Sequence, residues 1–234
     1  MIGTLLNVAG IILGSFTGLV SGRTLTPDTQ QRARLLFTAL TLLTAVALTW
    51  RGLTAPLGTA LQQLAIAGLS LSVGSLLGHL LRLQRGLNRL ARWAAAKTQP
   101  AGVDSASFAT QSVVFALNPL GVLGAVLEGA IGVWQPLALK AGLDALAAWG
   151  FSAAGSRTVM LSALPMAALQ GTVSLLSGGV AARFLSPAQT SSLLVVGGLL
   201  VLVMVPVIFG WRRAPLTNYL PALVLAPVLT AWWR

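Results

Sequence analysis

The stretch 105–150, SASFATQSVVFALNPLGVLGAVLEGAIGVWQPLALKAGLDALAAWG, is apolar enough to lie in a bilayer, yet it holds Asn118-Pro119, Glu128, Lys140 and Asp144. Two of the protein's four acids fall here, inside hydrophobic sequence. A charged group in hydrocarbon costs about 2.5–3.5 kcal/mol even on the most lenient scale, so it persists with a partner, water or a job. Pro119 removes a backbone donor and disfavours helix at the residue before it, so the span is expected to break near its middle. Gly121 and Gly124 follow directly and belong to that break. Irregular backbone at membrane depth is tolerated only where it is buried in protein or lines a cavity. The stretch therefore reads as the centre of a permeation or binding site.

The rest of the chain agrees with a membrane setting. Of its 234 residues 56% are hydrophobic and 8% charged, with a mean hydropathy of +0.84, whereas a soluble domain carries about 25% charged residues. There is no cysteine and a single histidine, so disulfides, thiolate metal sites and zinc-binding His clusters are not available. No metal and no cofactor are expected. The apolar run from Ile2 has no basic segment ahead of it and no clear cleavage site, and is expected to be a retained first span and not a signal peptide.

A helix needs about 20 apolar residues to cross the membrane. On that rule, spans are expected near 2–20, 33–50, 58–81, 107–133 (broken), 136–155, 158–181, 189–210 and 216–233. Eight is the count, with seven full crossings as the rival, because Pro221 and Pro227 interrupt the last run. The fold class is thus an all-α integral membrane protein of about seven or eight transmembrane helices. Orientation follows from the basic residues. With the segment 82–104 in the cytoplasm, Arg82, Arg85, Arg89, Arg92, Lys97, Arg23, Arg32, Arg34, Arg157, Arg212 and Arg213 share one side, 11 of the 15 Lys and Arg. Arg51, Lys140, Arg183 and Arg234 take the other. Both termini are then outside. The same asymmetry accounts for the net charge of +11 without nucleic acid as a partner.

Residues 82–97, RLQRGLNRLARWAAAK, differ from the spans. At 100° per residue Leu83, Leu87, Leu90 and Ala94 gather on one face and Arg82, Arg85, Arg89 and Arg92 on another. A basic amphipathic helix of this kind, extending to about residue 99, lies along the membrane surface against anionic headgroups. A regulatory or partner-binding role is the alternative.

An internal repeat is visible. SGRTLTPDTQ (21–30) and AARFLSPAQT (181–190) align with Gly18 on Gly178, Arg23 on Arg183, Leu25 on Leu185, Thr26 on Ser186 and Pro27 on Pro187. Ala55-Pro56-Leu57 and Ala214-Pro215-Leu216 align at nearly the same shift. Unit A (1–81) would correspond to unit B (158–234), with the central segment 105–155 between them. The matched loops fall on opposite sides, so the repeats would be inverted, a plan that places a transporter's site near the midplane.

Each chemical candidate has a plainer alternative. Lys140 lies one turn before Asp144, so the two can meet on one helix face. They are a self-neutralising core pair, or a cation- or proton-binding carboxylate with its counter-charge. Glu128, set among Gly121, Gly124, Gly129 and Gly132, is an interfacial acid or a gate. Asn118 is a kink satisfying its own backbone, or an amide beside carbonyls freed by Pro119 that meets an ion or polar ligand. Asn7 and Gln170 are interhelical hydrogen-bond partners, or line the path. His79 is a solvated interfacial group or a pH sensor. Trp50, Trp211, Trp232 and Trp233 fall at span ends as interface anchors. There is no HExxH, GxSxG, Walker loop or strand-borne GxGxxG, and one interfacial histidine suggests no triad. No enzyme is expected.

Several of these residues carry a family likeness. Asn7 with Gly14 and Gly18, the glycine-rich segment with Glu128, and Lys140 to Asp144 are similar to the YqgA/YdfK-type bacterial inner-membrane proteins. Ser162-Ala163-Leu164-Pro165 with Gln170-Gly171, and Leu220-Pro221-Ala222-Leu223 with Ala226-Pro227, strengthen the resemblance, which covers essentially the whole chain. That family carries the label of unknown function, so the likeness implies a multi-spanning protein of the bacterial cytoplasmic (inner) membrane and little chemistry. The chain departs from the family pattern at His79, where an acid is usual, at Leu127-Glu128, where an acidic pair is usual, and at Ala116-Leu117-Asn118-Pro119.

The expected function is a small secondary transporter or ion-conducting protein moving a polar solute or ion. Asn118, Glu128 and Asp144 would bind or couple, Lys140 would balance charge, and Asn7 and Gln170 would line the path. The lipid bilayer, an unidentified small solute and a second copy of the chain in a homodimer are the expected partners. The alternative is a non-transporting scaffold or sensor acting through Arg85, Arg89 and Arg92 on the surface helix.

Overall fold

A computed structural model describes residues 1–53, 56–86, 89, 93, 105–116, 118–211 and 216–233. These form helices α1 (Ile2–Ser21), α2 (Pro27–Gly52), α3 (Leu57–Leu80), α4 (Ser105–Ala116), α5 (Pro119–Ile131), α6 (Gln135–Ala153), α7 (Ala163–Phe184), α8 (Pro187–Phe209) and α9 (Ala222–Trp232). Short 3-10 turns at Met160–Ser162 and Leu216–Tyr219 precede α7 and α9. No strand occurs among the described residues. Among the described residues five helices are long and apolar enough to cross a membrane, or six if the bent pair α4–α5 counts as one span. Large apolar side chains cover their outer faces, among them Leu5, Phe16, Leu43, Leu76 and Leu175. In water such surfaces would drive association, whereas in lipid they are solvated.

The expected boundaries are displaced in two places. The run 216–233 is no continuous helix: the 3-10 turn ends at Tyr219, Leu220 and Pro221 intervene, and α9 starts only at Ala222, because proline cannot donate into a preceding turn. The amphipathic segment does not start at Arg82, which takes φ 52° and separates α3 from the helical residues that resume at Leu83. Beyond Gly86 that segment, including Arg92 and Lys97, lies outside the described residues, apart from Arg89 and Trp93.

The chain forms two packing units, residues 1–34 with 86–177 and residues 35–85 with 178–234. This division cuts across the two expected repeats, since α1 groups with the central segment.

In the first unit, α1 and α6 lie side by side. A Cβ at Gly10 would come within 2.6 Å of the Ala141 carbonyl, and at Gly14 and Gly18 it would strike the carbonyls of Ala145 and Trp149. Both series ascend together, so the helices are parallel. Small residues four apart let the backbones approach this closely, and in lipid that contact is what holds helices together. Helix α5 begins where Asn118 accepts the Leu120 N–H at 3.0 Å and Pro119 occupies the first turn, a cap that suits the missing donor. It ends at Gly132 with φ 72°. Gly132 N–H donates to Glu128 and Val133 N–H to Leu127, a closure that favours glycine.

In the second unit, α3 packs antiparallel to α9 and its 3-10 turn, with Gly74 against Ala222 and Gly78 against Asn218. Helix α2 packs antiparallel to α8, with Thr49 against Gly198 and Gly52 against Val195. Ser192, Gln63 and Thr230 join across α8, α3 and α9 in a buried hydroxyl–amide cluster.

The α1–α6 approach gives the first testable expectation. Gly14→Leu should lower the thermal midpoint in detergent, since forcing bulk into a packed contact costs about 1–3 kcal/mol or more. Gly68→Ala, where an added Cβ meets nothing within 4 Å, should be neutral or raise it slightly. Equal midpoints for the two variants would contradict the close approach.

Candidate functional site

Lys140 and Asp144 stand one turn apart on α6, both buried, and form an ion pair. The lysine has 0% relative exposure, so every hydrogen on its ammonium needs a protein acceptor. It finds three. One is Asp144 Oδ2. A second is the Phe115 carbonyl at 2.8 Å. In a continuous helix that oxygen would accept the N–H of residue 119, and Pro119 has none, so the helix break itself supplies the acceptor.

The third acceptor is Asn7 on α1. Its amide is oriented by its neighbours, as amides generally must be assigned. With its nitrogen toward Asp144 it donates to Oδ2 at 2.9 Å, while its oxygen accepts from Lys140 Nζ at 3.1 Å and from Gln170 Nε2 at 3.0 Å. The reverse orientation would set the amide oxygen against the carboxylate. Gln170 on α7 is thereby joined to the pair through Asn7, with Met166 one turn earlier on the same helix, 3.4 Å from the Asn7 amide. Gly121 on α5 leaves the space: a Cβ there would come within 2.8 Å of both Lys140 Cε and Gln170 Nε2. Gly124 does the same for Leu137.

Glu128 is buried elsewhere in this unit, tied to the start of α1. Its carboxylate accepts the Gly3 N–H at 2.5 Å, the Thr4 N–H at 3.3 Å and the Thr4 hydroxyl at 3.1 Å. These are orphan donors of a helix N-terminus, where a carboxylate is favoured by both hydrogen bonding and the dipole. Asn118 spends its side-chain oxygen on its own helix cap.

Of the residues singled out from sequence, Lys140, Asp144, Asn7 and Gln170 therefore come together, with Pro119 and Gly121 shaping their surroundings. Glu128 and Asn118 have partners of their own, and His79 is exposed with its ring on the Ser75 carbonyl at 2.9 Å. Arg82 and Arg85 belong to the second unit and not to this one. Sequence reasoning missed the Phe115 carbonyl, although counting four back from Pro119 would have found it. It also missed Thr4 and a small network toward the far end of α6, in which Gln111 bonds Ser156 and Thr158, each at 2.6 Å. In the same unit Ile11, Phe115, Ala148, Val159 and Met166 form a buried apolar cluster.

Comparison with known proteins agrees with a membrane setting. The sequence signature of the family described as "Protein of unknown function (DUF554)" matches residues 2–231. The chain is 28% identical to "Uncharacterized protein YqgA" of Escherichia coli (strain K12), over all of this chain and 97% of that protein. It is 25% identical to "Uncharacterized membrane protein YdfK" of Bacillus subtilis (strain 168), over 98% of this chain and 95% of that one. No solved structure matches.

Removing one partner of a buried ion pair strands the other charge, at about 3–5 kcal/mol. Lys140→Met and Asp144→Asn should each lower the thermal midpoint strongly. In a double-mutant cycle the combined variant should recover much of the loss. Additive losses would show that the pair does not interact.

Proposed function

This chain belongs to the family described as "Protein of unknown function (DUF554)", and we propose that it is a small secondary transporter or ion-conducting protein of the bacterial cytoplasmic membrane. Its site is the cluster of Lys140, Asp144, Asn7 and Gln170 beside the helix break. The observation that carries this reading is a buried ion pair whose lysine also donates to a carbonyl released by that break. A structural core would be served as well or better by apolar residues of similar size. Charges kept inside a span mark ion or substrate pathways by default.

Two further observations support the transporter plan. Thr26 accepts the Thr29 N–H at 3.3 Å, and Ser186 accepts the Gln189 N–H at 3.5 Å. These are the same three-residue helix cap at matched positions of the expected repeat, each followed by a proline that opens a helix. Matched helices also meet antiparallel: α2 with α8, α3 with α9, and α1 with α7 through Asn7 and Gln170. That is the relation an inverted repeat produces. In the proposed topology the bent pair α4–α5, whose halves differ by 43°, makes one broken crossing. Three crossings then separate α1 from α6, an odd number, which agrees with their parallel contact. With α6 and α9 included the count reaches eight, basic loops lie in the cytoplasm, both termini lie outside, and a second copy of the chain completes the scaffold.

The test is transport by purified protein in liposomes. Jumps of pH, Na⁺, K⁺, amino acids, organic acids and amines would be read both as solid-supported-membrane currents and by a trapped pH dye. The wild type should give a solute-dependent signal that Asp144→Asn and the milder Asn7→Ala reduce at least tenfold, about 1.4 kcal/mol in the barrier. A signal untouched by either variant in folded protein would remove the cluster from the mechanism.

A further inference from the structure

The class of species taken by this site is set by its donor atoms, and naming that class presupposes the transport reading of the cluster. We propose that the position filled by the Lys140 ammonium is a site for a small monovalent cation, which Lys140 occupies as a tethered stand-in and yields when the cation loads.

The position is built from oxygen. Three acceptors surround the ammonium: the Asp144 carboxylate, the Phe115 carbonyl at 2.8 Å and the Asn7 amide oxygen at 3.1 Å. Ammonium, a primary amine and an alkali cation share the chemistry such a site satisfies, a single positive charge taking hard oxygen ligands. The charge count sets the valence. Asp144 brings one negative charge, and the other elements contribute none: α1 offers the Asn7 amide, α4 the Phe115 carbonyl, α5 Gly121 and α7 the Gln170 amide. A divalent cation would keep an uncompensated charge in a buried place, which is costly. An anion would have to sit against the carboxylate. Bulky quaternary amines offer no N–H to the three oxygens.

Loading a cation while Lys140 keeps its own would leave two positive charges against one negative. The lysine has no exposed atom through which water could share that charge. The balance closes if Lys140 releases its proton: an Nζ–H bond breaks, the electron pair stays on nitrogen as a neutral amine, and the proton passes to the bulk water from which the cation enters. One cation then enters for one proton lost, so the site exchanges a monovalent cation for a proton without net charge movement.

The experiment uses Lys140→Ala, which vacates the position. Its thermal midpoint in detergent would be measured with methylammonium, ammonium, Na⁺, K⁺ or choline at matched ionic strength. At least one small cation should raise the midpoint, choline should not, and Asp144→Asn added to Lys140→Ala should abolish the shift. In weakly buffered solution the same cation should make the wild-type protein release protons and acidify the medium, and Asp144→Asn should not. A Lys140→Ala protein that answers to no small cation, or answers equally to choline, overturns the proposal. If that variant does not fold, the wild-type proton release decides alone, and its absence with every cation overturns the proposal. Cation binding without flux in liposomes would keep the site and refute transport. Flux of an uncharged or anionic solute without cation binding would keep transport and refute this site.

Discussion

A lysine ammonium with no access to water stays charged only if three acceptors are brought to it, and the first packing unit is arranged to do that. Asp144 comes from the next turn of the same helix. The Phe115 carbonyl comes from a helix interrupted by Pro119, and Asn7 comes from a helix held against α6 by a row of glycines. The acceptors lie on α1, α4 and α6, and Gln170 on α7 fixes the orientation of the amide. Loosening any one of these elements leaves a charge or a polar group stranded in a low-dielectric interior, where such losses are large.

The glycines do more than allow approach. With Ala141 and Ala145 carbonyls where a Cβ would sit, α1 has one register on α6, and that register puts Asn7 level with the pair. Glu128 acts on the same helix from its other end by holding the Gly3 and Thr4 N–H groups. Position along α1 is thus set twice, by backbone contact and by a carboxylate at the helix start. The Asn7 amide can then sit between Lys140 and Asp144 and serve both.

Much of this was legible in the sequence, and the reasons differ by residue. The i,i+4 spacing of Lys140 and Asp144 makes their meeting a matter of helix geometry, and Asn7 and Gln170 stood out as amides in apolar spans. The break at Asn118-Pro119 was visible because proline is a local rule. The use made of that break was not. Asn118 turns to its own backbone, as short amides at a helix start tend to do, while the freed carbonyl serves a lysine 25 residues away. Glu128 read as a coupling acid, and its partners lie 124 and 125 residues distant, a separation that no local pattern encodes. The grouping of α1 with the central segment was likewise out of reach, because glycine spacing shows that a helix packs closely without saying against what.

The central claim, that the buried pair is kept for use and not for the fold, is tested most directly by replacing it whole. Lys140→Met together with Asp144→Leu removes both charges and keeps the volume, and stability and flux would be measured on the same preparation. The structure leads us to expect a protein as stable as the wild type, or more stable by about 1–4 kcal/mol, that no longer carries solute across liposomes. Wild-type flux in that variant would show that the pair is a structural element and that the pathway lies elsewhere.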